Sequence, residues 1–221
     1  EEFVGKLAAG LTKFVSAFYP RQVVYRTNDF KTNEYRALKG GEKYEEVEEN
    51  PMLGYRGASR YITDIATYKL ELAAIRKVRE EYENLWVMIP FVRTVAELKR
   101  TIKIIEEEGL TRSDTFKLWM MIEVPSNVIL LEKFFEVGID GVSIGSNDLT
   151  QLTLGIDRDS AKLAETFDER DEAVMDSIEK VVKGAKAMGI TASICGQAPS
   201  VYPEITQKLV EWGITSVSVS P

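Results

Sequence analysis

The stretch DGVSIGSNDLTQLTLGIDR, residues 140–158, predicts a short buried strand, then a tight turn, then the start of a helix. Val142 and Ile144, with the small residue Ser143 between them, are typical of a parallel strand that is covered on both faces. Gly145 allows the backbone to turn sharply or to approach a ligand closely. Asn147 and Asp148 follow the carboxyl end of the strand, where α/β proteins place ligands and catalytic groups.

A simpler interpretation of the same residues is that they only begin a helix. Ser146, Asn147 and Asp148 are all residue types that cap helix N-termini well. Capping and ligand binding at a helix start are compatible. The stretch alone therefore leaves both interpretations open.

Strand and helix patterns alternate along the rest of the chain. Strands are predicted near residues 23, 87, 119, 142, 192 and 217, and helices over 2–18, about 60–82, 95–108, 125–137, 169–188 and 202–212. Such alternation predicts an α/β fold built of parallel βα units. We expect an incomplete (β/α)8 TIM-type barrel with about six of the eight units, without the first two strands and the last helix. An open doubly wound sheet is the alternative, although the chain has neither a Gly-x-Gly-x-x-Gly turn nor a P-loop.

Composition excludes several classes of function. The 221 residues carry a formal net charge of -7, which argues against nonspecific nucleic-acid binding. One cysteine allows no internal disulfide and suits a reducing cytoplasm, and no apolar run is long enough for a membrane span. With no histidine, this chain's own residues offer neither a histidine base nor a histidine metal ligand. The chain begins Glu-Glu-Phe, without an initiator Met and inside a predicted helix, so we interpret residues 1–221 as a fragment of a longer protein.

Polar residues follow the predicted strands at their carboxyl ends, which converge on one face of a barrel. These residues are Arg26, Arg93, Glu123, Asn147, Asp148 and Cys195. Glu123 and Asp148 suit a hard cation that keeps some of its waters, such as Mg²⁺, and zinc is disfavoured without histidine. Arginines at these ends suit an anionic substrate.

Each of these side chains also has a purely structural interpretation. Glu123 is compatible with a salt-bridged loop carboxylate. Arg26 and Arg56 are compatible with arginines that brace loops, Arg56 in particular with one that braces the long polar segment 27–51. Such a long segment is itself usually functional. Cys195 is compatible with a small buried apolar residue.

Six ordered segments resemble one known family. They are VYRTNDFKTNEYRALKGG (24–41), NPMLGYRGASRY (50–61), VMIPFVRT (87–94), MIEVPSN (121–127), GVSIGSNDLTQLTLGIDRDS (141–160) and SICGQAPS (193–200). They resemble the C-terminal phosphoenolpyruvate (PEP)/pyruvate-binding barrel of the PEP-utilising enzymes, from about Val23 to the end. Gln197 and the run DFKTNEY make the chain most similar to the PEP synthases (pyruvate, water dikinases), rather than to pyruvate phosphate dikinase or enzyme I of the sugar phosphotransferase system.

The resemblance implies a role for each candidate residue. The residues that match substrate- and phosphate-binding positions are Arg26, Arg56, Gly145, Ser146, Asn147 and Arg158. Glu123 and Asp148 match two Mg²⁺ ligands, and Cys195 matches the acid/base that exchanges a proton with the methyl carbon of pyruvate. Mg²⁺ is the implied cofactor.

The resemblance also implies partners. In such enzymes the phosphoryl group arrives on a histidine of a mobile domain that ATP charges at a separate nucleotide-binding domain. Since this chain has no histidine, the phosphohistidine belongs to another domain, and the isolated chain is expected to be inactive in the full reaction. The expected setting is a cytoplasmic, homo-oligomeric transferase of gluconeogenesis. Three alternatives stay open: a dikinase or enzyme I-type barrel, a Mg²⁺-dependent 2-oxo acid aldolase, and a non-catalytic barrel that binds PEP or serves in assembly.

Overall fold

The computed structural model describes residues 1–219, which form two compact units. Unit 1 contains residues 1–91 and 96–117, and unit 2 contains residues 92–95 and the chain from 118 onward. The elements of unit 1 are α1 (Glu2–Phe18), β1 (Val23–Arg26), α2 (Thr32–Ala37), α3 (Ala58–Thr63), α4 (Ile65–Arg79), β2 (Leu85–Ile89) and α5 (Val95–Glu107), with 3-10 turns at Gly41–Lys43 and Pro51–Leu53. Those of unit 2 are β3 (Leu118–Ile122), α6 (Pro125–Ile129), α7 (Leu131–Phe135), β4 (Gly141–Gly145), α8 (Ser146–Leu154), a 3-10 turn at Ala164–Thr166, α9 (Glu172–Ala187), β5 (Thr191–Cys195), α10 (Ala198–Val201), α11 (Pro203–Trp212) and β6 (Ser216–Val217).

Strand pairing is parallel and sequential inside each unit. In unit 1, β1 pairs with β2. In unit 2, β3 pairs with β4, β4 with β5 and β5 with β6, so the strand order never reverses. This order excludes a switch of direction of the kind that a doubly wound sheet contains. The fold class is α/β, and its six strands are those of an incomplete (β/α)8 barrel, as the sequence predicts.

The core of unit 1 lies between its strands and helices α1 and α4. The buried side of α1 is formed by Ala8, Leu11 and Val15, which recur at helical spacing. This stripe packs on α4, in which Leu72 and Ile75 are fully buried. Apolar burial of this kind supplies most of the stability of such helices.

The core of unit 2 is built on two strands whose residues are all buried, β3 and β4. Helix α9 covers β4 and β5 with an apolar side that includes Val174, Ile178 and Val182. Burial on both faces explains why β3 is a continuous apolar run in the sequence and why β4 combines Val142 and Ile144 with small residues.

Three predicted elements differ from those observed. The helix predicted over about 60–82 is two helices, because the chain breaks at Asp64, whose side chain accepts from Thr67 N and caps α4. The helix predicted over 125–137 is also two, because Leu130 leaves helical geometry with φ -107° and ψ 32°. The polar segment 27–51 is not a plain loop, since it contains helix α2.

The predicted last strand, residues 215–220, is observed only as Ser216–Val217. The end of that prediction, at Ser220, lies outside the described residues. Across residues 1–219, none of the helices has the length and apolar character that crossing a membrane requires.

Two glycines allow a direct test of packing. A Cβ on Gly141 of β4 would lie 2.3 Å from the indole of Trp119 on β3, whereas a Cβ on Gly10 of α1 would meet no atom within 4 Å. We expect Gly141→Ala to destabilise the protein by about 1–3 kcal/mol through overpacking. Gly10→Ala should stabilise it by roughly 0.5–1 kcal/mol, because alanine favours a helix interior. Urea unfolding midpoints measure both changes, and equal shifts of the two variants would contradict the packing of β3 on β4.

Candidate functional site

The centre of the candidate site in unit 2 is the paired end of β4 and β5. Gly145 and Cys195 are register partners at the last position of these strands. Directly after Gly145, the Ser146 hydroxyl donates a hydrogen bond of 3.1 Å to the carbonyl oxygen of Cys195. The strand pairing and this bond together fix the start of α8 against the backbone of Cys195.

Two glycines next to that bond leave space for neighbouring side chains. Gly196 has a φ of +116°, a region that favours glycine, and a Cβ there would lie 2.2 Å from the Ser146 hydroxyl oxygen. A Cβ on Gly145 would lie 2.7 Å from both Cγ and Oε1 of Glu123. The absence of side chains at these two positions therefore makes room for Ser146 and for the Glu123 carboxylate.

Glu123 follows β3 and is only 2% exposed. Its backbone is held by Asn127, whose side-chain oxygen accepts from the N–H groups of Glu123 (3.3 Å) and Val124 (3.1 Å). The Asn127 amide nitrogen donates to Val92 O at 2.8 Å. A fully buried asparagine thus fixes the turn that directs the Glu123 carboxylate over Gly145.

Helix α8 places the next two candidate residues in its first turn. Asn147 and Asp148 are half-buried there. The N-cap position belongs to Gly145, and no side chain caps this helix. The interpretation of Ser146 as a helix cap is therefore wrong, because its hydroxyl bonds to the backbone of β5 instead.

These residues fit a magnesium ion by their chemistry. Among residues 1–219 there is no group of three or more His, Cys, Asp or Glu side chains arranged to hold a metal. Two carboxylates, Glu123 beside Gly145 and Asp148 in the first turn of α8, are a donor set of the kind that Mg²⁺ uses, because this ion retains waters and substrate oxygens as further ligands.

Cys195 and Arg158 are both accessible. Cys195 is half-buried, while Ala192, Ser193 and Ile194 before it are buried, so the interpretation of Cys195 as a fully buried apolar residue is wrong. The Arg158 side chain is 41% exposed, and its ion pair with Asp159, at 3.8 Å, contributes little in solvent. Its backbone N–H donates to the side-chain oxygen of Gln151 at 3.3 Å.

Unit 1 contains the other two candidate arginines, in very different surroundings. Arg26 is exposed at the end of β1, and its side chain has no hydrogen bond or ion pair within residues 1–219. Arg56 is 6% exposed, and it binds Asp29 through two bonds, Nε to Oδ1 at 3.1 Å and Nη2 to Oδ2 at 2.6 Å. Its guanidinium stacks on Phe91, with 3.9 Å to the ring centroid. These bonds agree with the structural interpretation of Arg56 as an arginine that braces the long polar segment.

Comparison with known protein families identifies the family of this chain. The family model described as "PEP-utilising enzyme, PEP-binding domain" matches residues 2–221. The chain belongs to this family.

Relatives of this PEP-binding domain are long proteins. The chain is 60% identical to "Probable phosphoenolpyruvate synthase" of Staphylothermus marinus, with 99% of the chain and 27% of the relative covered. It is 59% identical to "Phosphoenolpyruvate synthase" of Aeropyrum pernix, with 99% and 27% covered. The corresponding values for "Phosphoenolpyruvate synthase" of Escherichia coli are 46%, 100% and 28%. The chain therefore spans just over a quarter of the length of these relatives.

Sequence reasoning missed several buried carboxylates of this domain, of which two lie beside candidate residues. Asp29 is one, because nothing in its sequence neighbourhood points to Arg56, 27 positions away. The other is Glu169, which is 6% exposed, and whose Oε1 has no hydrogen-bond partner in the described part of the chain. Burial raises the pKa of Glu169, and the Ser146 hydroxyl and Arg158 lower it in part. Glu169 lies in the charged run Asp168 to Glu172, which by pattern indicates solvent exposure.

The pair of Asp29 and Arg56 makes a measurable contribution to stability. Their side chains are 2% and 7% exposed, so Asp29→Asn leaves a buried guanidinium short of its counter-charge. We expect a loss of about 3–5 kcal/mol in the free energy of unfolding, the cost of breaking a buried pair. The control is Asp168→Asn, since the pair of Asp168 with Arg170 is exposed at 40% and 48% and should contribute less than about 1 kcal/mol. Denaturant titration measures both, and losses of similar size would contradict the burial of the Asp29 pair.

Proposed function

We propose that this domain performs the pyruvate/PEP half-reaction of a PEP synthase. In it, a phosphoryl group passes from a phosphohistidine to the enolate of pyruvate and gives PEP. The family match over residues 2–221 and the names of the relatives support this proposal. With no histidine in the chain, the phosphohistidine lies on another domain, which we propose is charged by ATP at a further domain of the same long protein.

The observation that carries the proposal is the pairing of Gly145 with Cys195. It places a half-buried thiol one strand from the turn over which the Glu123 carboxylate lies. Proton transfer at the methyl carbon of a 2-oxo acid needs an acid/base on one side and stabilisation of the enolate oxygen on the other. Unit 2 provides residue types for both tasks.

The Cys195 thiolate accepts a proton from C3 of pyruvate, and the electron pair of that C–H bond forms the enolate. The enolate oxygen then forms a bond to phosphorus while the bond between phosphorus and the histidine nitrogen breaks. Phosphoryl transfer of this kind depends mainly on positioning and charge stabilisation.

The remaining candidate residues bind and orient. Glu123 and Asp148 would hold Mg²⁺, which when bound supplies positive charge to the enolate and phosphoryl oxygens. Asn147, with the backbone at Gly145 and Ser146, orients PEP, and Arg158 adds a further anion-binding group. In unit 1 the exposed Arg26 binds an anionic group, and Arg56, which matches a second phosphate-binding position of the family, adds a guanidinium that Asp29 holds in place.

The setting of the domain is also a proposal. By its family resemblance we place it in a cytoplasmic transferase of gluconeogenesis that self-associates. The relatives' greater length supports the presence of other domains in the same protein.

Cys195→Ala tests the acid/base assignment. In the full-length enzyme we expect PEP formation, and the exchange of C3 protons of pyruvate with solvent, to fall by about 10²–10⁴-fold, the usual contribution of a general acid/base. Formation of the phosphoenzyme from ATP should be unchanged, because it takes place on other domains. Ser193→Ala is the matched control, since Ser193 is small, buried and two positions earlier on the same strand. If Cys195→Ala retains wild-type proton exchange, the assignment of Cys195 fails.

Gly145→Ala tests the metal assignment without removal of a ligand. The new methyl group would occupy the position of the Glu123 carboxylate, which can swing away at little cost in stability because it is the end of a flexible side chain. We expect the Mg²⁺ concentration for half-maximal PEP formation to rise by about 10–100-fold, as for other changes that disturb the orientation of a metal ligand. Gly10→Ala is the control, because that position is open. An unchanged Mg²⁺ requirement in a folded Gly145→Ala enzyme would remove Glu123 from the proposed metal site.

A further inference from the structure

A second buried carboxylate lies in unit 1, outside the residues discussed so far as candidates. Glu71 belongs to α4 and is 5% exposed. Its Oε1 accepts two hydrogen bonds, from the Tyr25 hydroxyl at 2.6 Å and from the backbone N–H of Asn28 at 2.9 Å. A carboxylate is costly to bury, and these two bonds offset part of that cost.

The two donors lie on either side of Arg26. Tyr25 precedes it on β1, and Asn28 follows it by two positions. Between them, Thr27 is fully buried, and its N–H donates to Met88 O on β2 at 3.1 Å. A single carboxylate oxygen thus bonds both ends of the segment 25–28, and the hydrogen bond from Thr27 to β2 holds its middle.

The residue that follows this segment, Asp29, is the partner of Arg56. The backbone carbonyl of Asn28 accepts from the Tyr61 hydroxyl, and the Tyr61 ring stacks on Tyr68 with 4.0 Å between centroids. The next residue is Asp29, whose carboxylate binds the Arg56 guanidinium in two places. Displacement of the Asn28 backbone would therefore move Arg26 on one side and Asp29 on the other.

We propose that Glu71 is a positioning residue for Arg26 and Arg56, through the segment 25–29 that it holds. The inference rests on the proposed function, because it treats these arginines as the groups that bind the substrate anion. Glu71 itself touches no substrate in this proposal. Its role depends on an oxygen acceptor and not on negative charge, since both of its partners are neutral donors.

The experiment compares three variants in the full-length enzyme: Glu71→Ala, Glu71→Gln and Asn84→Ala. Glutamine keeps an oxygen that accepts both bonds, and alanine does not. Asn84 is the structural control, because it is also buried in unit 1 at 7% exposure, and its amide donates two bonds, to Val15 O at 2.9 Å and Arg21 O at 2.8 Å. These bonds lie at the amino ends of β1 and β2, away from Arg26. For each variant we would measure the unfolding midpoint, kcat and KM for pyruvate, and phosphoenzyme formation from ATP.

The expected result separates positioning from stability. Glu71→Ala should lower kcat/KM for pyruvate by about 10–100-fold, a loss typical of misplacement by about 1 Å, with phosphoenzyme formation unchanged. Glu71→Gln should stay within about threefold of the wild type, because the amide oxygen still accepts both hydrogen bonds and leaves neither buried donor unsatisfied. Asn84→Ala should lower the unfolding midpoint and leave kcat/KM for pyruvate intact.

Three outcomes would overturn the inference. They are wild-type kcat/KM in Glu71→Ala, an equal loss in Glu71→Ala and Asn84→Ala, and a loss in Glu71→Gln as large as in Glu71→Ala. Failure of the proposed function has a different signature, because the wild-type enzyme itself would then make no PEP from pyruvate and ATP, and both proposals would fall together.

Discussion

Parallel pairing of β4 with β5 is the constraint on which the candidate chemistry of unit 2 depends. Parallel strands end at the same edge of a sheet, so the register that sets Val142 beside Ala192 also sets Gly145 beside Cys195. The interior of the pair is buried, with the serines Ser143 and Ser193 as partners between apolar residues, and a slip of one residue would turn buried side chains to the opposite face. The packing that fixes the register of the buried residues thus also determines which polar residues become neighbours at the strand ends.

Close approach at the strand ends requires more than pairing. Ser146 reaches the carbonyl of Cys195 because Gly196 has no side chain, and the Glu123 carboxylate lies over Gly145 for the same reason. These contacts explain in physical terms why glycine accompanies the polar residues in Gly-Ser-Asn-Asp and Cys-Gly-Gln. Both glycines leave space that a side chain would fill. Gly196 also adopts a positive φ that other residues rarely take.

Features set by neighbouring residues could be predicted from the sequence, whereas contacts between residues far apart along the chain could not. The buried strands were predictable because apolar runs are local signals, such as the run of β3 that contains Trp119, Met120 and Met121, all of them buried. The break at Asp64 was missed because apolar spacing continues through it. The partners of Ser146 and Arg56 were missed because they lie 49 and 27 positions away, and sequence pattern has no signal for contacts that only the fold creates. The roles of Glu123, Asp148 and Cys195 come from family resemblance and remain predictions.

The two candidate arginines of unit 1 have identical side chains but differ in exposure and in pairing, and these differences change how each could interact with an anion. Arg26 is exposed and unpaired within the described residues, so its full charge is available to an anion, although water screens it. Arg56 is buried against Phe91, and Asp29 neutralises it, so burial strengthens its hydrogen bonds while its net charge is largely cancelled. An anion near Arg26 would gain mainly Coulomb energy, whereas the Arg56 guanidinium is held in a fixed direction by Asp29, Met52 and Phe91. Precise orientation of a substrate requires the second kind of group, and the buried bonds of Asp29 and Glu71 supply the rigidity on which such a group depends.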